Sequence, residues 1–322
     1  MTAVSREGEA ARAVYTIDRL RDPAAVRPLL DGDAAYSAYA IAQLDPGLFD
    51  ANEWLLSSGP GERQALLVHS HSGLGNALFA TGDPDALDVA LSLHPGARFS
   101  FGSLRLGHRA IVEKYFVMTR PQLMSRMRIS AETFQPADGP AVRLGSDELG
   151  AINRLYSIES GPAAYRETHL IDGVYYGVFT GGDLVSIAGT HVVSRAERTA
   201  VVGNVFTHPR FRGRGLATVA TSAVTAELLD YCDLVVLTVE TKNDPAVAVY
   251  TKLGYEAVCS LHETPLIRKE PLGTVSFARR ALAGWRGRRC AGSRTLPCAS
   301  SWLQRATRTH PRRRRWSMGW KT

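Results

Sequence analysis

The chain has 322 residues, 45% hydrophobic and 21% charged, the balance of a soluble globular protein long enough for two domains. No apolar run approaches the roughly 18–20 residues that span a bilayer, and Met1–Asp22 lacks a signal sequence's apolar core, so a cytoplasmic setting is expected. The net charge of +7 misleads: residues 271–322 hold 13 of the 38 Lys and Arg and none of the 31 Asp and Glu, leaving 25 basic against 31 acidic groups, a net −6, in residues 1–270. An acidic body argues against nucleic acid as a partner. The four cysteines (Cys232, Cys259, Cys290, Cys298) show no C-x-x-C pairing, so neither a metal site nor a disulfide framework is expected.

Residues 1–12 read as a flexible terminus and 13–134 as a first mixed α/β region. Asp22–Leu30 and Asp33–Leu44 each open on an acidic capping residue and carry helical apolar spacing. Gln64–His69 and Asn76–Ala80 read as strands, Asp83–Leu93 and Leu106–Phe116 as helices, and Leu123–Ile129 as a strand leading into the second region. The Pro/Gly-containing segment Phe134–Pro140 reads as a linker.

From Ala141 the pattern sharpens. Val142–Leu144 is a short strand, Ser146–Ile158 a helix, and Tyr165–Leu170 a second short helix. Gly173–Phe179 and Leu184–Val193 form a hairpin, and Thr199–Phe206 a third strand. A helix over Leu216–Asp230 precedes the apolar strand Leu234–Val239, whose composition suits burial on both faces. Asp244–Leu253 is helical with Pro245 at its first position, Gly254 ends it, and Tyr255–Leu261 returns as a strand. The order β-α-α-β-β-β-α-β-α-β predicts an α/β layered fold with a central mixed sheet over 138–268.

The chemistry concentrates between the third strand and its helix, at Arg212-Gly213-Arg214-Gly215-Leu216-Ala217-Thr218. A glycine turn feeding a helix leaves several backbone N–H groups without partners and adds about half a positive charge from the helix dipole. Such a terminus suits a phosphate group, with Arg212 and Arg214 as reinforcement. Read alone, the loop fits any phosphate compound.

A second block narrows the choice. Arg212-x-x-Gly215-x-Ala217 resembles the Q/R-x-x-G-x-G/A loop of the GNAT superfamily of N-acetyltransferases. Asn243, Ala248 and Tyr250-Thr251-Lys252-Leu253-Gly254-Tyr255 are similar to that family's N…A…Y-x-K-x-G-F/Y block. The resemblance covers about 140–265, and Tyr175–Val178, Leu184–Ser186 and the Asn204 strand look nearest the glycine N-acyltransferase-like branch.

The resemblance implies acetyl-CoA as co-substrate, its pyrophosphate on Gly213–Thr218 and its pantetheine arm between splayed strands at Val205, Phe206, Thr207 and Leu237–Val239. It makes Tyr250 the general acid for the leaving thiolate, Asn243 a contact of the cofactor arm, and the Val205 backbone N–H the donor to the developing oxyanion. The acceptor implied is the primary amine of a small molecule, amino acid or peptide. One departure stands out: Val201 occupies the position where several relatives carry a glutamate base. Substitutes are Glu159, Glu167, Glu240, His169, His191 and His208, with Glu159 placed first, or water alone. A non-catalytic sensor of coenzyme A is the rival reading that Val201 leaves open.

The first region carries neither block and reads as a degenerate copy of the same fold, its Gly73-Leu74-Gly75-Asn76 entering a strand rather than a helix. Arg312–Arg315 with Trp302, Trp316 and Trp320 makes a basic tail over 269–322, read as a disordered extension or as an out-of-frame gene end.

Overall fold

The structure, a computed structural model, describes residues 2–5, 14–71, 76–160 and 165–269. Within them the first half runs β1 (Thr2–Ser5), β2 (Val14–Leu20), α1 (Pro23–Asp31), α2 (Ala34–Ala42), α3 (Pro46–Phe49), β3 (Glu53–Ser58), β4 (Gln64–Ser70) and β5 (Ala77–Gly82). It continues through α4 (Pro84–Leu93), β6 (Phe99–Arg105), α5 (Arg109–Tyr115), β7 (Phe116–Met118) and β8 (Gln122–Ile129). The second half runs β9 (Ala141–Arg143), α6 (Leu149–Ser160), α7 (Glu167–Asp172), β10 (Tyr176–Thr180), β11 (Asp183–Ser194) and β12 (Thr199–Thr207). It closes with α8 (Leu216–Leu229), β13 (Leu234–Glu240), α9 (Asp244–Lys252) and β14 (Glu256–Arg268).

All fourteen strands join one sheet, ordered β1-β2-β3-β4-β5-β6-β14-β8-β13-β12-β11-β10-β9, with β7 paired to β14. The pairs β5/β6 and β12/β13 are parallel and the others antiparallel, so the expected mixed, mostly antiparallel sheet is what forms. Each half passes through the same order, β-α-α-β-β-β-α-β-α-β, once α3, β1 and β7 are set aside.

The closing strands are exchanged. β8 ends the first half yet lies against β13 over Ile129↔Val235 to Met124↔Glu240. β14 ends the second half yet lies between β8 and β6. The sheet is therefore continuous across 134–138. Nor does that segment hang free: the Gln135 N–H donates to Leu253 O (2.9 Å) and the Ala137 N–H to Ser222 Oγ (2.8 Å).

Packing follows the exchange. α8 and α9 cover one face of the second half's strands, with Ala220, Val224, Leu228 and Tyr250 against Val202, Val205, Leu237 and Val239. On the other face Val201 and Val236 pack against Val26, Leu30 and Ile41 of α1 and α2, which belong to the first half. α4 and α5 serve the first half's own core, and α6 and α7 seal the outer end around β10 and β11.

Five strands, β1, β2, β3, β6 and β7, were not read as strands from the sequence. In β6 the inward positions are Ser100, Gly102 and Leu104 while Phe99 and Phe101 stay half-buried, so its apolar alternation points the wrong way. Thr2–Ser5 pairs with β2 where a flexible end was expected. Residues 72–75 and 270–322, including Gly73–Gly75 and the arginine tail, lie outside the described residues. Among the described residues no helix is long and apolar enough to cross a membrane.

Candidate active site

β12 and β13 pair from Thr199↔Leu234 only as far as Val202↔Leu237. Beyond that point Gly203–Thr207 and Thr238–Glu240 no longer pair with each other, and these are the strand ends between which the resemblance implied a slot for the cofactor arm. Parallel strands lose their ladder here because β12 bulges. The β11 register jumps from Ile187↔Phe206 to Gly189↔Gly203, so Asn204 and Val205 face Ala188 alone.

The bulge turns on Asn204, a non-glycine residue at φ 55°. Its amide donates to Thr190 O (2.9 Å) and to the Tyr175 hydroxyl (3.2 Å), and its carbonyl accepts from the Tyr156 hydroxyl. The extra residue inverts the strand's alternation: Val202 and Val205 both face α8, and Phe206 joins the α6 side. Val205 is thereby lifted out of one-to-one pairing at the mouth of the slot.

The turn that follows ends on Gly215 (φ 79°), the N-cap of α8, which supplies no side-chain cap and has no acidic residue in the first turn. The Val219 N–H bonds to Gly215 O at 3.1 Å, so the N–H groups of Leu216, Ala217 and Thr218 begin the helix without in-helix acceptors. A Cβ on Gly213 or Gly215 would meet no atom within 4 Å; it is the positive φ of both, 74° and 79°, that requires glycine.

Arg214 is exposed, over the Phe211 ring (5.1 Å) and bonded to Arg210 O. Arg212 is turned the other way. Its Nη2 meets Glu159 Oε2 at 2.5 Å and its Nε bonds Thr207 O at 3.1 Å, tying the end of α6 to the end of β12. The carboxylate placed first as a base is thus bonded to the Arg212 guanidinium.

Tyr250 lies on the buried face of α9, 2% exposed, in the same cluster as Val205 and Val239. Among the described residues its hydroxyl makes no hydrogen bond, whereas that of neighbouring Tyr255 is taken by Thr225 Oγ1 at 2.8 Å. Burial pushes Tyr250 well above the usual phenol value, so it carries its proton throughout the neutral range. Asn243 caps α9, accepting from the Ala246 N–H (3.3 Å). Gly254 is obligatory, since a Cβ there would meet Thr133 O at 1.9 Å.

Val201 is fully buried against α1 and α2, so the fold leaves no room there for a solvated glutamate. Glu240 ends β13 opposite Met124, Glu167 is exposed at the start of α7, and His208 accepts from the Arg210 N–H. His169 accepts from the Arg166 N–H, with burial lowering its pKa. Of the candidates, only His191 stands beneath the bulge, meeting the Tyr39 hydroxyl through Nδ1 (2.5 Å).

The first half has the same geometry, closed. β5 and β6 pair only over Ala77↔Phe101 to Phe79↔Ser103 and then part. Between them sits Tyr36, its hydroxyl 2.8 Å from Ala80 O and 3.2 Å from Ser103 O while accepting from the Arg105 N–H. At the start of α4 the Asp83 carboxylate accepts from the N–H groups of Asp85 and Ala86, both at 3.0 Å. A phenol fills the slot, and a carboxylate fills the anion position. Sequence reading found Asp83 as a helix start but had no signal for Tyr36.

Burial also sets a pH dependence. His69, 2% exposed, titrates at about 4, chiefly because burial disfavours its charged form. His191 is lowered likewise to about 4, by burial and by Arg126. Between pH 6.5 and 4 the unfolded chain therefore binds more protons than the folded one, and stability falls as pH falls. His69 alone contributes about 3 kcal/mol to this loss; partly exposed His191 adds less, and the raised carboxyl of Glu263 opposes it slightly. Denaturant unfolding should give a lower free energy at pH 4.5 than at pH 7, and His69→Gln should flatten the difference.

Residues 148–255 match the model of the Acetyltransferase (GNAT) family. Over 104 residues the chain is 36% identical to N-alpha-acetyltransferase RimI of Mycobacterium tuberculosis, a match covering 30% of this chain and 61% of that enzyme's length. The structure is similar to that of a Drosophila protein (TM-score 0.58, 14% identity, covering 78% of this chain and 98% of that one). It is similar too to a GCN5-related N-acetyltransferase from Sphaerobacter thermophilus (0.52, 13%, 81% and 98%) and to one from Kribbella flavida (0.50, 20%, 75% and 96%). At such identities the structural likeness is one of fold. The family match is to residues 148–255, and the solved structures add a likeness of fold.

Proposed function

We propose that the chain is an acetyl-CoA-dependent N-acyltransferase with one working site, on β12, β13, α8 and α9, and a first half that is a degenerate copy of the same unit. The observation that carries the reading is the contrast between two like slots. One runs into a helix N-terminus free of side-chain caps; the other is plugged by Tyr36 and capped by Asp83. Support also comes from the family match over 148–255.

On this reading the N–H groups of Gly213–Thr218 and the exposed Arg214 receive the pyrophosphate, and Arg212 braces α6 against the loop. Acetyl-CoA supplies an activated acyl thioester. Val205 presents its backbone N–H toward the acyl oxygen as negative charge builds there. Tyr250 gives its proton to the departing sulfur, whose aqueous pKa is about 8.5 by analogy with cysteine. The acceptor, a primary amine, approaches from the face lined by α2, α6 and His191. His191 stays neutral above about pH 4 and is a weak base, so the amine proton leaves through water.

Thiol release from acetyl-CoA in the presence of an amine panel tests the reading. Acceptor-dependent release is expected; binding of coenzyme A with no acceptor turned over would make the protein a sensor instead.

A further inference from the structure

One charged side chain beside the acceptor face has no part in the steps above. Arg126, on β8, is 0% exposed, and among the described residues its Nε, Nη1 and Nη2 make no hydrogen bond. A guanidinium holds five donors and keeps its charge at every accessible pH. Burying it with neither acceptor nor counter-ion is strongly unfavourable.

Its surroundings are polar and lead toward the reacting centre. The cation lies over the Tyr39 ring (5.2 Å), and the Tyr39 hydroxyl meets His191. The His191 ring fills the space beside Gly203, where a Cβ would come within 2.4 Å of Nε2. Thr238, the cross-strand partner of Arg126 on β13, is buried with its Oγ1 also lacking a partner among the described residues. Glu263 on β14 is close enough to influence and be influenced by Arg126, yet the two form no ion pair.

The row thus crosses the sheet from β8 to β11 under α2. Thr238 is the first β13 residue past the last pair, Val202↔Leu237, so Arg126 flanks the point where the slot opens. Two inter-strand spacings, about 10 Å, lie between β8 and β12, the strand that carries the bulge. Tyr39, His191 and Glu263, which surround the guanidinium, each keep part of their surface exposed.

We infer that Arg126 anchors a carboxylate of the acceptor, and that the acceptor class is a small amine bearing a carboxylate, a free amino acid. The inference rests on the slot being the acyl-transfer site. A carboxylate pairs with a guanidinium through two parallel hydrogen bonds, and the acceptor's amine is then turned toward Val205. An uncharged amine leaves Arg126 buried and unpaired and binds more weakly.

The test compares amino acids with their amides on the full-length protein saturated with coenzyme A. Melting temperature should rise with the acids and not with the amides, and kcat/KM with acetyl-CoA should favour the acids at least 100-fold. Arg126→Met should erase both preferences while leaving the Kd for coenzyme A within twofold. Equal responses to acid and amide in the wild-type protein, or an acid preference that survives Arg126→Met, would overturn the anchor even in an active enzyme. Selective stabilisation by acids without turnover of any amine would uphold the anchor and sink the enzymatic reading. Should Arg126→Met not fold, the wild-type comparison decides.

Discussion

Tyr250→Phe is expected to lower kcat about 100-fold and to leave the Kd for coenzyme A nearly unchanged. The substitution keeps the ring that packs in the α8/α9 core and its edge contact with Tyr255 (centroids 6.0 Å apart). It removes only a hydroxyl that bonds to no other described residue. Burial keeps that hydroxyl protonated at neutral pH, so a proton is in place to hydrogen-bond the departing sulfur as its charge develops. A purely structural Tyr250 would show full turnover in the variant, with any effect confined to melting temperature. Steady-state kinetics and calorimetric titration separate the two outcomes.

Gly215→Asp should weaken coenzyme A binding more than 100-fold and lower kcat/KM at least as far. The chain itself provides the precedent. At α4 an aspartate N-cap accepts from two first-turn N–H groups and occupies the anion position with its own carboxylate. An aspartate at Gly215 starts from a left-handed backbone, φ 79° against −70° at Asp83, so it acts by placing a like charge beside the pyrophosphate site. The strain of a side chain at a positive φ is about 1–2 kcal/mol, and the melting temperature of the variant measures it. Gly215→Ala isolates the strain and should bind more tightly than Gly215→Asp. Equal losses in the two variants would mean that backbone conformation, not the anion position, carries the effect.

What could be read from sequence was local. Gly213 and Gly215 announce a turn, Gly254 the end of α9, and Pro245 its first turn, each fixed within a few residues. The exchange of β8 and β14 could not be read, because each strand's own pattern is the same whichever neighbour it takes. The last strand was read over Tyr255–Leu261; in the sheet β14 runs on to Arg268, with Pro265 opposite Phe101. The helix at 34–42 was legible, but not that Tyr36 would plug one slot and Tyr39 cover Arg126 beside the other. Val201 looked like a missing base and proves to be core beneath α1 and α2.

The opened slot of β12–β13 and the plugged slot of β5–β6 together predict one cofactor per chain. Calorimetric titration of acetyl-CoA into the wild-type protein and Gly215→Asp measures this directly. A stoichiometry of about one, lost in the variant, is the predicted result. Two sites per chain, or one site undiminished by Gly215→Asp, would contradict the assignment of the cofactor to the helix α8 terminus.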